Sequence, residues 1–268
     1  MRRIIVATDY SAEALNATEY VAKAAAEHKF ELVLFSLYNI SIHALNARLS
    51  GEAINEIINA KHDELAKAAA KLSETYGITV EPHFSSGDFH EEISRCISMH
   101  NADLVVLGMA QKSFEQDLLG NTTTAAIHKL TTPVMAIPLG VTYTGIKRIL
   151  FACDIVRGVH KRVLEEVRDM ATEFGAEVEV FYVRKKIDEL LQDQTNVVDE
   201  VMTGTRFYYQ NVEASDVIYA IQDEALRINA DILIMVPYKY GFWSSIVHTS
   251  KTRMMASGNN IPLLSLPL

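Results

Sequence analysis

The chain has 268 residues, 49% hydrophobic and 22% charged, which excludes a disordered polypeptide and indicates two folded domains. Its 34 acidic and 25 basic residues give a formal net charge of -9, with no basic stripe in either half. Proteins that hold DNA, RNA or acidic membranes need such a stripe, so we expect no partner of these classes.

The first half predicts five strands that alternate with four helices. The strands are continuous apolar runs, as in parallel sheets covered by helices on both faces. Gly77 is placed to end the second helix, and Asp88 is placed to cap the third. The predicted strands lie near 3–8, 31–37, 78–84, 103–107 and 133–137, and the helices near 11–28, 52–76, 88–100 and 121–130.

The second half repeats the first. RIIVATD at 3–9 returns as RILFACD at 148–154, NADLVVL at 101–107 as NADILIM at 229–235, and PVMAIP at 133–138 as PLLSLP at 262–267. Three segments recurring in the same order indicate two tandem domains, 1–140 and 146–268, with 141–145 as the linker. The second set of strands is predicted near 147–152, 177–183, 205–212, 231–235 and 262–266, and the helices near 158–174, 187–201, 215–229 and 249–257.

The expected fold class is therefore α/β, with two tandem doubly wound sheets of five parallel strands each, Rossmann-like in layout. The two cysteines, Cys96 and Cys153, lie one per half in apolar segments and are predicted to be buried thiols rather than a disulfide. The beginning MRRIIVATDY has no long apolar region or cleavage site, and no run of about eighteen apolar residues follows. We expect a cytoplasmic protein.

Two loops are candidates for ligand binding. In doubly wound sheets, ligands bind beyond the carboxyl ends of the strands, at the point where strand order reverses. That rule selects the loop that opens at Asp9 and the loop that opens at Gly108. Gly108 would let the backbone approach a ligand, and Gly120 with Asn121 at a helix start would offer N–H groups to a phosphate.

The segment 108–124 resembles the nucleotide loop of universal stress proteins, whose order is Gly, two residues, Gly, nine residues, then Gly-Ser or Gly-Thr. The end of the first strand and the Pro-flanked last strand also match the family, so the resemblance extends over nearly the whole chain if the chain is divided into two domains. It implies that each domain has the adenine nucleotide alpha hydrolase-like fold. It implies that the first domain binds ATP or another adenine nucleotide, with Asp9 beside the adenosine and Leu37 flanking the adenine. The implied binding residues are Ala7, Thr8, Asp9, Leu37, Gly108, Gln111, Gly120, Asn121, Thr122 and Thr123.

The loop departs from the family pattern at three points. Gln111 replaces the second glycine, eight residues rather than nine precede Gly120, and Asn121 stands where Ser or Thr is usual. A Cβ at position 111 would obstruct backbone approach to a phosphate. Two interpretations therefore stay open: a nucleotide loop, or glycines that only shape a strand-to-helix connection.

The second domain has lost the loop. Val236 replaces Gly108, and His248 falls where Gly120 would be. The segment 236–248 contains three aromatic residues besides the only tryptophan, Trp243, so we expect this domain to be nucleotide-free. The aromatic residues would either pack within the domain or dock an apolar partner.

No catalytic motif is present, and no catalytic residue or metal ligand is predicted. His83, Asp88, His90 and Glu91 come nearest to a metal cluster, but they lack a recognised ligand spacing and are interpreted as solvated surface.

The leading hypothesis is a non-enzymatic stress-response protein, with an ATP sensor in the first domain. The alternatives are a nucleotide-free interaction module and a weak ATP hydrolase. The resemblance also implies that the last strands of the two domains pair within one chain, so that the two domains form the equivalent of a dimer. A homodimer of two chains and binding to an unidentified protein partner both stay open.

Overall fold

The computed structural model describes residues 2–39, 51–109, 120–153, 160–184, 197–213, 217–236 and 261–268. Strands and helices alternate in both halves, within a few residues of the predicted bounds. The strands are β1 (Arg3–Ala7), β2 (Glu31–Leu37), β3 (Val80–Ser85), β4 (Leu104–Met109), β5 (Val134–Pro138), β6 (Arg148–Ala152), β7 (Glu177–Arg184), β8 (Phe207–Glu213), β9 (Ile232–Met235) and β10 (Leu263–Ser265). The helices are α1 (Ala12–His28), α2 (Gly51–Tyr76), α3 (Phe89–His100), α4 (Gly120–Lys129), α5 (Lys161–Phe174) and α6 (Val217–Arg227).

The ten strands form one sheet in the order β3-β2-β1-β4-β5-β10-β9-β6-β7-β8. Within each half all described pairings are parallel, so the predicted α/β class with five parallel strands in each half is confirmed. The two predicted sheets are joined edge to edge into one. The two units meet where β5 and β10 pair antiparallel, with Leu264 opposite Met135.

Both faces of the sheet are covered, because the strands are apolar on both sides. One hydrophobic cluster includes side chains of α1, α2 and α5, and it runs without a break from Leu32 in the first half to Val178 in the second. The opposite cluster includes side chains of α3, α4 and α6. Helices on both faces explain why the strands read as continuous apolar runs rather than as alternating ones.

The segment 141–145, predicted as a linker, is irregular but well packed. Tyr143 is buried, meets Tyr20 edge-on at 5.3 Å and lies 3.1 Å from Nε2 of His28 through its hydroxyl. The His28 ring in turn contacts Phe174 of the second half. These contacts join the two halves on one face of the sheet; the assignment of two domains stays a prediction.

Helix ends follow the predicted signals. Gly77 follows α2 with a φ of 65°, and the Asp88 carboxylate caps α3 by accepting from the backbone N–H groups of His90 and Glu91. Both cysteines are buried thiols, as predicted. Only 197–201 of the helix predicted at 187–201 is described, and the helix predicted at 249–257 lies outside the described residues. Among the described helices, none has the length and apolar character to cross a membrane.

Candidate functional site

The strand order reverses between β1 and β4. These strands are neighbours in the sheet, but β1 leads into α1 on one face, whereas β4 leads towards α4 on the other. Their carboxyl ends therefore border a crevice, which is where ligands bind in doubly wound sheets. The loops predicted from the sequence are those at this crevice.

A tight hydrogen-bonded turn connects β1 to α1. The buried Thr8 donates its backbone N–H to the Phe35 carbonyl at 2.8 Å, and its hydroxyl accepts from the Tyr10 N–H at 3.1 Å. Tyr10 has a φ of 64°, a conformation that non-glycine residues seldom adopt. The Ser11 hydroxyl then caps α1 by accepting from the Ala14 N–H at 3.3 Å. The turn is thus held at both ends.

The exposed Asp9 is the acidic group of this turn. Partial burial alone would raise its pKa, but hydrogen bonds from Ser11, including a 2.9 Å bond from its backbone N–H, hold the pKa of Asp9 below its ordinary value. Asp9 is therefore a carboxylate at neutral pH, which can only accept hydrogen bonds. It suits a ligand that presents hydroxyl or amino hydrogens, such as those of a ribose or an adenine.

Gly108 lies directly against the start of α1. A Cβ at this position would stand 2.4 Å from the backbone carbonyl carbon and oxygen of Glu13 and 2.6 Å from the nitrogen of Ala14. Only glycine lets the helix approach β4 this closely. The structure thus gives Gly108 a packing role that is independent of any ligand; its predicted contact with a nucleotide stays a prediction.

The remaining predicted residues of the β1 and β2 ends are also at the crevice edge. Ala7 and Leu37 end their strands half-buried and pack against the cluster under α3 and α4. Asn39, two residues beyond Leu37, connects the end of β2 to the loop between β3 and α3. Its side chain makes two hydrogen bonds with the Gly87 backbone, at 2.8 and 2.9 Å. These contacts fix the edge on the side of the crevice where the resemblance places adenine.

The loop to which the resemblance assigns the phosphates is partly described. Gly120 begins α4, and no acidic residue lies in the first turn of this helix. Thr122 is exposed and Thr123 is buried, so Thr122 offers its hydroxyl to solvent whereas Thr123 faces the protein. Asn121 is in the helix, and Gln111 lies outside the described residues.

The equivalent crevice of the second half is built differently. Val236, at the position of Gly108, is buried. Eight residues separate the end of β6 from the start of α5 at Lys161, whereas four separate the end of β1 from the start of α1. Asp154, His248 and the aromatic residues of 237–248 lie outside the described residues, so the predicted absence of nucleotide here stays a prediction.

The residues weighed as a metal cluster do not act together in the structure. Asp88 caps α3, and His90 stacks edge-on against Phe89. His83 instead lies beside Cys96 and His100, a grouping that the sequence analysis missed. The available signal was the four-residue spacing of Cys96 and His100, which places both on one face of a helix.

Comparison with known proteins identifies the family. A family model described as the universal stress protein family matches residues 1–138, about half of the chain. The chain belongs to the universal stress protein family. A universal stress protein from Methanocaldococcus jannaschii is 26% identical over 140 residues, which are 51% of this chain and 81% of that protein.

Solved universal stress proteins show how far the fold extends. One from Archaeoglobus fulgidus matches with a TM-score of 0.76 at 21% identity, over 99% of this chain and 98% of that one. The likeness therefore covers both halves. A universal stress protein from Arabidopsis thaliana, solved with AMP bound, is 20% identical over 53% of this chain and 94% of its own, at a TM-score of 0.39.

Proposed function

We propose that the chain is a non-enzymatic stress-response protein whose first half binds an adenine nucleotide at the crevice between β1 and β4. The observation that carries the proposal is the position of the Asp9 carboxylate, held by the Thr8–Ser11 turn where the strand order reverses. An acceptor fixed at this point is suited to the hydroxyl and amino groups of a nucleoside.

The charges around the crevice favour one orientation of the nucleotide. The N-terminus of α1 carries its own negative groups, because Asp9 and the first-turn Glu13 lie beside it and Ser11 caps it. A phosphate there would meet two carboxylates. The first turn of α4 carries no acidic residue, and its N–H groups have the positive end of the helix dipole. The nucleoside would therefore lie at Asp9, with the phosphates directed towards α4.

Family membership supports an adenine nucleotide over other ligands, since the AMP-bound protein from Arabidopsis thaliana belongs to the same family. The choice among ATP, ADP and AMP depends on how many phosphates the 108–122 segment holds. From the sequence, we expect the missing residue before Gly120 and the side chain of Gln111 to disfavour a triphosphate. Titration with all three nucleotides would identify the preferred one.

Isothermal titration calorimetry of the purified chain tests the site. We expect saturable binding of at least one adenine nucleotide, and Asp9→Asn should raise its Kd by about tenfold or more, because a hydrogen bond to a charged acceptor contributes about 1.5–3 kcal/mol. The amide keeps an acceptor for the Ser11 N–H, so the turn is preserved. Gly120→Trp should abolish binding by blocking the start of α4.

Asp154→Asn is the matched control, because Asp154 occupies the same position in the second half. It should leave the affinity unchanged if only the first half binds. No heat of binding at millimolar nucleotide, or equal loss of affinity in both variants, would overturn the proposed site. Turnover of bound ATP in the presence of Mg²⁺ would refute the non-enzymatic part alone.

The antiparallel pairing of β5 and β10 supports an intramolecular equivalent of a dimer. Hydrophobic edge strands left unpaired would be a hazard for association with other chains. In this chain each of these two strands is buried by the other, with Met135 and Leu264 opposite one another. Breaking this pair should therefore uncouple the two halves.

A further inference from the structure

A cluster of nitrogen and sulfur donors lies between the outer strand β3 and helix α3. Cys96 and His100 are one helical turn apart on α3, and His83 lies on β3, at the register position opposite Phe35. One donor atom from each of the three residues lies within 4.8 Å of the other two. This place is two strands away from β1 and plays no part in the proposed nucleotide site.

The donor atoms converge closely. Nδ1 of His83 is 3.0 Å from Nε2 of His100, and the Cys96 side chain is fully buried beside them. In a tetrahedral zinc site, bonds of about 2.0–2.1 Å to nitrogen and 2.3 Å to sulfur place the donors about 3.3–3.7 Å apart. A shift of a few tenths of an ångström would therefore bring the two imidazole nitrogens to the separation found in such a site.

Neighbouring side chains restrain both imidazoles. Nδ1 of His100 lies 3.2 Å from a carboxylate oxygen of Glu81, so its proton is drawn to that side and the lone pair of Nε2 points into the cluster. Histidine ligands of metals commonly have such a carboxylate behind them. The His83 ring is stacked on Phe35 at a centroid distance of 5.7 Å, which limits its rotation.

The second half shows that the fold itself does not require these side chains. Phe181 is the repeat equivalent of Phe35, and it pairs with Gln210 where Phe35 pairs with His83. Counting back from Asn101 and Asn229, which both follow helices with a φ of 48°, Cys96 corresponds to Glu224 and His100 to Ile228. The same architecture is thus built without any of the three donors.

We propose that His83, Cys96 and His100 bind a divalent transition-metal ion, with zinc as the ion that best fits two imidazoles and one thiolate. Imidazole and thiolate ligands favour zinc over magnesium or calcium, which take oxygen ligands. The three side chains leave a fourth position for water or an external ligand. Coordination would release the Cys96 thiol proton to solvent, as metal binding to cysteine requires, and would place the His83 ring proton on Nε2 instead of on Nδ1, which faces Nε2 of His100.

Cobalt(II) substitution tests the ligand set directly. The full chain is stripped with a chelator, reduced and titrated with Co²⁺, and one equivalent should produce the visible bands of tetrahedral cobalt together with a thiolate-to-cobalt charge-transfer band. Cys96→Ser should remove the charge-transfer band. Cys153→Ser, which changes the buried cysteine of the other half, should leave both features intact.

Zinc affinity and thermal stability provide a second measurement, in case Cys96→Ser disturbs the core. Zn²⁺ should raise the Tm of the wild-type chain, because it binds only the folded state, and His83→Gln should fold without metal but lose this rise. Glu81→Gln, which keeps all three ligands, should weaken zinc binding by about 10–100-fold. Octahedral cobalt spectra, no rise in Tm, or zinc binding that survives both Cys96→Ser and His83→Gln would overturn the proposal.

Discussion

Replacing Gly108 with alanine should destabilise the chain, although the change adds only one methyl group. The new Cβ would stand 2.4 Å from the Glu13 carbonyl, and backbone atoms, unlike the end of a flexible side chain, have no other rotamer. To restore an ordinary contact, the first turn of α1 would have to retreat by about 1 Å. That movement would loosen the packing of α1 on β4 and the Thr8–Ser11 turn.

Overpacking of this kind costs about 1–3 kcal/mol, and more when backbone must move. We therefore expect Gly108→Ala to lower the free energy of unfolding by about 2–4 kcal/mol, which corresponds to a fall in Tm of about 5–12 °C for a chain of this size. Urea denaturation followed by circular dichroism measures the change.

Gly51→Ala is the control, since a Cβ at Gly51 meets no atom within 4 Å and its φ is compatible with alanine. It should leave stability unchanged or increase it by up to about 1 kcal/mol, as alanine favours helix. A Gly108→Ala chain within about 0.5 kcal/mol of wild type would refute the close approach of α1 to β4.

Two further predictions concern the second half and the junction. Burial and the neighbouring carboxyl of Glu224 raise the pKa of Glu179 from 4.5 to about 7. Between pH 4.5 and about pH 7 the folded state therefore binds more protons than the unfolded state, and the free energy of unfolding should fall as the pH rises through this range. Glu179→Gln should reduce this loss between pH 5 and 8 in urea denaturation, and an unchanged pH dependence would contradict the assignment. Leu264→Asp places a charge at a buried position opposite Met135. This substitution should lower the free energy of unfolding by at least about 3 kcal/mol, or divide unfolding into two transitions. A single transition with wild-type stability would show that β10 is dispensable.

The fold could be predicted from the sequence because the patterns that indicate strands and helices are local, and because most of them occur twice, once in each half. Apolar runs mark the strands in each half, and each recurring segment confirms the other copy. One bound that shifts by two residues in the first half is the start of β3, predicted at 78 but observed at Val80. Ile78 is buried in the connection after Gly77, before ladder pairing starts, and apolar character alone does not distinguish these two states.

The candidate sites were less predictable because they depend on contacts between distant residues. A glycine at the end of a strand indicates a close approach, but the sequence does not say whether a ligand or a helix approaches; at Gly108 the helix does. The donors of the proposed metal site are separated by as many as 17 residues, and β3 and α3 bring them together. The search along contiguous residues instead selected Asp88 and His90, which serve the helix cap.

The antiparallel meeting of β5 and β10 has a further consequence for the molecule as a whole. Because all strands of one half run opposite to those of the other, the carboxyl ends of β1 and β4 open on one rim of the sheet and those of β6 and β9 on the opposite rim. A small molecule on one rim and a second molecule on the other would not collide. Any influence of one on the other would have to be transmitted across the width of the sheet, through its backbone ladder and the shared core beneath α1 and α5.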